Sequence, residues 1–185
     1  MNLEENIQRI RKGDRKAQKE LYEYYSPTLF GICRRYLKQT SDAEDVFLNG
    51  MFKIFDNINK YKGEGSFEGW MKRIMVNESL MHIRKHKKLN LVVEWTQIDK
   101  AADPVVYGEL AAEELKKLIL DLPDGYRTIF NMYVLEGYKH KEIAEELGIS
   151  INTSKSQLIL ARKKLREFIK KKDLNKDYGG FQKNI

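Results

Sequence analysis

Two clusters contain the residue types that bind metal ions or carry out acid–base chemistry. Asp42, Glu44 and Asp45 are close together in the sequence, and such carboxylates are the ligands of nuclease metal ions. His82 and His86 stand four apart and could share a helix face as ligands. No second acidic cluster supports a nuclease, however, and the lysines and arginines around the histidines would repel a cation. We therefore predict that the chain binds neither a metal ion nor a cofactor and that it is not an enzyme.

A second kind of chemistry, the binding of duplex DNA, is indicated between residues 139 and 168. Ile143 lies on the apolar face of a short predicted helix, and Gly148 permits a tight turn after it. Ser150 can cap the helix that follows. Asn152 and Ser156 lie on the polar face of that second helix, with Lys155 and Gln157 at its flanks. This helix-turn-helix pattern is typical of insertion into the major groove.

A third pattern resembles a site for unpaired bases. Phe67 and Trp70 follow the glycine loop at residues 61–66, and basic residues cluster at positions 84–88. Aromatic rings beside basic side chains hold unstacked bases in single-strand-binding proteins. Core packing of the rings and a cationic helix end are the structural alternative.

The elements that position these residues are predicted to be helical throughout. Apolar residues recur with a period near 3.6, and period-two alternation is scarce. We therefore predict an all-α fold with two small helical domains. The first covers residues 1–88, an acidic linker covers 89–114, and the second, with the helix-turn-helix, covers 115–172. Glycines and low apolar content predict a disordered tail over 173–185.

Composition excludes several classes of protein. The 185 residues carry a formal net charge of +7, which indicates an anionic partner. The chain has a single cysteine, Cys33, so a disulfide framework is excluded. Cys33 lies on an apolar stripe, which is typical of a packing role. The first residues lack a signal-peptide pattern, and no apolar run reaches the roughly 20 residues of a membrane span. We expect a cytoplasmic protein without stable membrane insertion.

The order and spacing of these motifs resemble the extracytoplasmic-function sigma factors of the sigma-70 family. Residues 42–46 with 52–55 resemble the region-two helix that docks on the RNA polymerase clamp. Residues 67–77, followed by Arg84-Lys85, resemble the segment that melts and reads the minus-ten element. Residues 122–162 resemble region four, which reads the minus-thirty-five element. The resemblance extends over roughly residues 8–170.

The resemblance implies three sets of contact residues. The set for the polymerase comprises Asp42, Glu44, Asp45, Phe52 and Phe55. The set for minus-ten DNA comprises Lys62, Ser66, Phe67, Trp70, Arg73, Asn77, Arg84 and Lys85. The set for minus-thirty-five DNA comprises Ser150, Asn152, Thr153, Lys155, Ser156, Gln157 and Arg162. The implied partners are core RNA polymerase and promoter DNA, both duplex and melted, with an anti-sigma factor as a further candidate.

The chain departs from the family pattern at three places. Leu48-Asn49 stands where Gln-Glu is usual, in the segment that docks on polymerase. Met81 replaces a common aspartate, and Gln157 replaces an arginine, which indicates a different minus-thirty-five sequence. The main alternative is a stand-alone helix-turn-helix regulator, which would bind palindromic duplex without polymerase. Such a regulator would have no use for the loop and basic helix at residues 61–88.

Overall fold

The structure, a computed structural model, describes residues 2–86 and 112–179, with side chains as far as Lys172. The chain divides into two compact units, residues 1–88 and 89–185. Every regular element within the described ranges is helical, so the predicted all-α fold class is confirmed. Most of the acidic linker predicted at 89–114 lies outside the described residues.

The described part of the first unit is built from three long helices and two shorter elements. These are α1 (Leu3–Arg11), α2 (Arg15–Tyr36), α3 (Thr40–Asp56), a 3-10 turn (Ile58–Lys60) and α4 (Phe67–His86). Helices α2, α3 and α4 pack against one another. The apolar face of α3 supplies Phe47, Met51 and Ile54 to the core. Its burial fixes which face of α3 remains available to a partner.

Cys33 lies in the centre of this core. The side chain is fully buried, and its sulfur lies 3.9 Å from the sulfur of Met75 on α4. Burial raises the pKa of the Cys33 thiol to about 12. The thiolate that a nucleophile requires is therefore strongly disfavoured, as expected for a cysteine that serves in packing.

Helix α1 is joined to α2 by charged side chains. Asp14 caps α2 by accepting the backbone N–H groups of Lys16 (2.9 Å) and Ala17 (3.1 Å). Arg9 donates to the same carboxylate at 2.8 Å and lies 3.3 Å from Glu20. The Ala17 N–H and the Arg9 guanidinium hold the pKa of Asp14 below its usual value. These contacts orient α1 along the first unit.

The described part of the second unit contains α5 (Ala112–Asp121), α6 (Asp124–Phe130), a π-helical turn (Asn131–Leu135), α7 (His140–Leu147) and α8 (Ile151–Gly179). Helices α5, α6 and α7 each contact α8. Gly148 ends α7 with φ 66°, a left-handed conformation that glycine adopts without steric cost. The helix, turn and helix therefore form where the sequence predicted them.

Arg127 is buried at the junction of α5 and α6. Its guanidinium donates to the carbonyls of Leu120 (3.1 Å) and Leu122 (2.7 Å) and pairs with Asp124. The two carbonyls lie at the C-terminal end of α5, where the helix itself offers them no donor. This arginine therefore fixes the break at Pro123 that precedes the helix-turn-helix.

Two predicted boundaries are corrected. Helix α8 continues to Gly179, so residues 173–179, which low apolar content and glycines predicted as part of a disordered tail, are helical. Residues 112–114, assigned to the linker, form the first turn of α5. The acidic side chains of Glu113 and Glu114 favour a helix N-terminus, whereas composition alone assigns them to an acidic linker. None of the described helices is long and apolar enough to span a bilayer.

Candidate nucleic-acid interface

The first candidate surface lies on α3 and combines acidic and apolar side chains. Glu44 and Asp45 are exposed, and Asp42 is partly exposed in the first turn of the helix. Phe52 is 72% exposed and Leu48 is 56% exposed. Large apolar side chains exposed next to one another are unusual on an isolated protein and mark contact sites. Phe55, also predicted here, is half-buried.

An acidic neighbour of the histidine pair was missed by the sequence interpretation. His82 Nε2 lies 3.4 Å from the Asp42 carboxylate, and the His82 and His86 rings are 4.5 Å apart. Asp42 and His82 are 40 positions apart, so only the packing of α3 on α4 brings them together. Among the described residues, no three histidine, cysteine or acidic side chains are placed to hold a metal ion.

The second candidate surface begins with the loop at residues 61–66. Gly63 and Gly65 have φ of 82° and 80°, which turns the chain sharply and leaves Lys62 exposed. Ser66 caps α4, since its hydroxyl accepts the Gly69 N–H at 3.3 Å. The loop therefore fixes where α4 begins and so positions the aromatic residues of its first turn.

Three aromatic rings meet at the start of α4. The Phe67 ring lies 5.0 Å from Tyr61 and 5.4 Å from Trp70, and Tyr61 lies 5.6 Å from Trp70. Trp70 is half-buried, whereas Phe67 is only 3% exposed. The prediction that Phe67 is accessible to DNA is therefore wrong, because its ring is enclosed in the core. Trp70 and Tyr61 are the partly exposed rings of this cluster.

Polar groups continue along α4 from Trp70. Arg73 is exposed and Asn77 is half-buried. The buried Asn77 Oδ1 has no hydrogen-bond partner among the described residues. Arg84 and Lys85 are exposed in the last turn. Helix α4 thus carries an aromatic ring, an amide and basic groups along its length.

The third candidate surface is the start of α8. The Ser150 hydroxyl accepts the Thr153 N–H at 2.9 Å and lies 2.8 Å from the Thr153 hydroxyl, so Ser150 is the predicted cap. Asn152 and Lys155 are exposed, and Arg162 is partly exposed two turns further on. These side chains are available to a duplex lying against α8.

Two residues predicted for the same surface are buried instead. Gln157 is 1% exposed and Ser156 is 8% exposed. Gln157 follows the buried Ser154 by three positions, so it shares the inner stripe of the helix. The Ser156 hydroxyl donates back to the carbonyls of Asn152 (2.9 Å) and Thr153 (3.1 Å). Neither side chain is presented for base contact, and the predicted exposure of both is wrong.

His140 connects α7 to α8 and to the π-helical turn. Its ring stacks on Tyr133 with centroids 4.4 Å apart, and its Nδ1 lies 2.9 Å from the Ser154 hydroxyl. Burial, followed by the charges of Lys155 and Arg162, lowers the pKa of His140. The ring therefore favours the neutral form, and its contact with Ser154 fixes the inner face of α8.

The fold and these surfaces define a helical DNA-binding protein with a helix-turn-helix in its second unit. Two family models match the chain in order: "Sigma-70 region 2" over residues 21–89 and "Sigma-70, region 4" over residues 112–165. They include the loop and α4 in the first case, and α5 to most of α8 in the second. Both candidate DNA surfaces thus lie within matched segments.

Individual relatives match along nearly the whole chain. The ECF RNA polymerase sigma factor SigW of Bacillus subtilis is 26% identical over 90% of this chain and 96% of its own. The ECF RNA polymerase sigma-E factor of Haemophilus influenzae is 25% identical over 88% and 93%. The sigma factor RpoE of Bartonella quintana, solved with the anti-sigma factor NepR, has a TM-score of 0.55 and 21% identity, over 82% of this chain and 96% of its own.

The chain belongs to the sigma-70 family, and the relatives that match it along most of its length are extracytoplasmic-function sigma factors. Members of this family are transcription initiation factors, which bind core RNA polymerase and direct it to promoters. The family and the function class predicted from the sequence are therefore confirmed, in preference to a stand-alone regulator.

Proposed function

We propose that the two units divide promoter recognition between them through the surfaces described above. The first unit binds core polymerase through α3 and captures minus-ten bases with the loop and α4. The second reads the minus-thirty-five duplex with the start of α8. The polymerase carries out phosphoryl transfer, and this chain supplies no catalytic group. The proposal places the chain in the cytoplasm, where it meets polymerase and chromosome.

The observation that carries the proposal is the exposure of Phe52. A phenylalanine 72% exposed beside Leu48 leaves apolar surface that a partner can remove from water, at roughly 25 cal/mol per Å² buried. Glu44 and Asp45 lie on the same helix and supply charge for a basic partner surface. The combination of apolar centre and charged margin is typical of a protein–protein contact.

Trp70, Arg73 and Asn77 are proposed to hold unpaired minus-ten bases. Extruding a base costs a few kcal/mol, and stacking on an aromatic ring returns roughly 1–3 kcal/mol per base. The Trp70 ring is partly exposed, and the half-buried Asn77 lies about two helical turns further along α4. Lys62, Arg84 and Lys85 are exposed and would neutralise the phosphates of the same strand.

Asn152 and Lys155 are proposed to contact base edges in the minus-thirty-five duplex. Asparagine can bind adenine through two hydrogen bonds, and lysine can donate to guanine acceptors. Ser150 and Thr153, at the N-terminal end of α8, and Arg162, further along it, would contact phosphates. Because Gln157 and Ser156 are buried, the proposed base contacts are limited to Asn152 and Lys155.

The polymerase contact is tested by competition with the wild-type chain for core polymerase. Phe52→Ala should weaken binding to core polymerase about tenfold or more, since central aromatic residues cost roughly 2 kcal/mol or more when truncated. Tyr24→Ala is the matched control, because Tyr24 is 65% exposed on α2 and lies outside the proposed surface. If Phe52→Ala competed for core polymerase as well as Tyr24→Ala and the wild type, α3 would not be part of the polymerase contact.

An anti-sigma factor is proposed as a regulator of the chain. The Bartonella quintana relative was solved with such a factor, and a protein that covered Phe52 and Leu48 would compete directly with polymerase. Mixing a co-purifying partner with core polymerase should then lower the amount of holoenzyme formed. A ternary complex containing all three would contradict this form of regulation.

A further inference from the structure

Arg11 is a basic residue outside all three proposed contact sets, yet it contacts the backbone at the start of the loop at residues 61–66. Its Nη2 donates to the Tyr61 carbonyl at 2.5 Å and lies 3.5 Å from the Ile58 carbonyl. Arg11 is the last residue of α1 and stands 50 positions before Tyr61 in the sequence. The contact therefore joins α1 to the beginning of the loop that precedes α4.

Tyr61 connects this attachment to the rest of the loop. Its hydroxyl donates to the Gly65 carbonyl at 2.7 Å, which closes residues 61–65. Its ring lies against Phe67 and Trp70, with centroid distances of 5.0 and 5.6 Å. One tyrosine thus contacts the arginine through its backbone, the loop end through its hydroxyl, and the accessible Trp70 through its ring.

The loop needs such attachments because its own sequence gives it little rigidity. Gly63 and Gly65 both have positive φ, and glycine has more backbone freedom to lose on ordering than any other residue. A loop that became ordered only on binding would lose affinity by the free energy of ordering. Attachments made before binding remove that loss.

We propose that Arg11 and the Tyr61 hydroxyl form a loop tether that holds residues 61–66 and Trp70 ready for minus-ten base capture. Both are positioning residues that act through the loop without touching DNA. This inference rests on the proposed function of Trp70. Arg11 is only partly exposed, its Nε is buried, and its Nη2 is directed at the loop carbonyls.

The test uses holoenzyme assembled with core polymerase and single-stranded oligonucleotides randomised across the minus-ten element. Selection with the wild-type chain first gives the preferred oligonucleotide, and dissociation constants are then measured for it and for a singly substituted one. Arg11→Ala and Tyr61→Phe are compared with Arg15→Ala, which removes an equal charge from an exposed position at the start of α2. Salt dependence is recorded for each variant.

The loop tether predicts that Arg11→Ala weakens binding of the preferred oligonucleotide about tenfold, as expected for a hydrogen bond from a charged donor. Tyr61→Phe should weaken it about threefold. The substituted oligonucleotide lacks the base that the ordered loop and Trp70 hold, so it does not draw on the ordered loop and its binding should change little. The preference over it should therefore fall with both variants, and Arg15→Ala should match the wild type. A merely structural role would reduce the amount of active holoenzyme and leave this ratio of dissociation constants unchanged.

Two results would overturn the tether while the proposed function stands. One is an unchanged ratio for Arg11→Ala when Trp70→Ala does weaken binding. The other is an equal loss on all oligonucleotides with a smaller salt slope, which would make Arg11 a phosphate contact. If Arg11→Ala fails to fold, the ratio for Tyr61→Phe decides in the same way. If Trp70→Ala binds like the wild type, the proposed base capture fails and the tether fails with it.

Discussion

Substituting Gln157 and Lys155 in turn by alanine distinguishes the buried face of α8 from the face proposed to contact DNA. Gln157 is 1% exposed and Lys155 is exposed two positions earlier. We predict that Gln157→Ala destabilises the second unit and leaves the preferred minus-thirty-five sequence unchanged. Lys155→Ala should change the preferred base at one or two positions and leave stability almost unaffected.

The size of the Gln157 effect follows from what the substitution removes. The lost Cγ methylene contributes about 0.8 kcal/mol of burial, and a lost polar contact contributes about 1 kcal/mol. The free energy of unfolding should therefore fall by about 2 kcal/mol. Removing the Lys155 ammonium should lower discrimination by roughly 1–3 kcal/mol at the base it contacts.

The assay pairs urea unfolding of each variant with holoenzyme selection from a library randomised at the minus-thirty-five element. Unfolding at two probe wavelengths tests whether the transition is two-state. A Gln157→Ala variant with unchanged stability and an altered preferred sequence would refute the assigned orientation of α8. Base readout would then involve the face of α8 that this structure buries.

Three further predictions concern the other surfaces. Trp70→Ala and Asn77→Ala should slow open-complex formation on a closed promoter and recover on a template already melted at the minus-ten element; equal defects on both templates would assign these residues to packing. Arg162→Ala should weaken all minus-thirty-five sequences about equally and reduce the salt slope by about one; a shifted sequence preference would make it a base contact. Arg127→Ala should lower the free energy of unfolding by about 3 kcal/mol, because it leaves buried carbonyls unpaired; unchanged urea unfolding would contradict its role in closing α5.

The architecture of α8 was largely predictable because its apolar spacing is regular. Ser154, Leu158, Ala161 and Leu165 are spaced by four, three and four positions, which predicts one inner helix face, and all four are buried. Gln157 lies on the same stripe, but its polar amide led to the opposite prediction. Spacing was the better guide than side-chain type, since packing of α7 against α8 decides which positions are covered.

The minus-ten surface shows the limit of local patterns. The glycine loop, the Ser66 cap and the start of α4 follow from turn and capping chemistry within a few residues. Phe67 and Trp70 are both aromatic and close in sequence, and nothing local distinguishes the enclosed ring from the accessible one. The attachment of Arg11 to Tyr61 spans 50 positions, so it depends on the packing of α1 and has no local sequence signal.

The most direct test of the account is promoter binding by the pure chain with and without core polymerase. Because the proposed DNA contacts are divided between two small units, the chain alone should bind duplex promoter weakly and with little sequence preference. Adding core polymerase should produce tight, site-specific binding and transcription from the same fragment. Nanomolar, sequence-specific binding by the chain alone, unchanged when polymerase is added, would contradict the account and favour a stand-alone regulator.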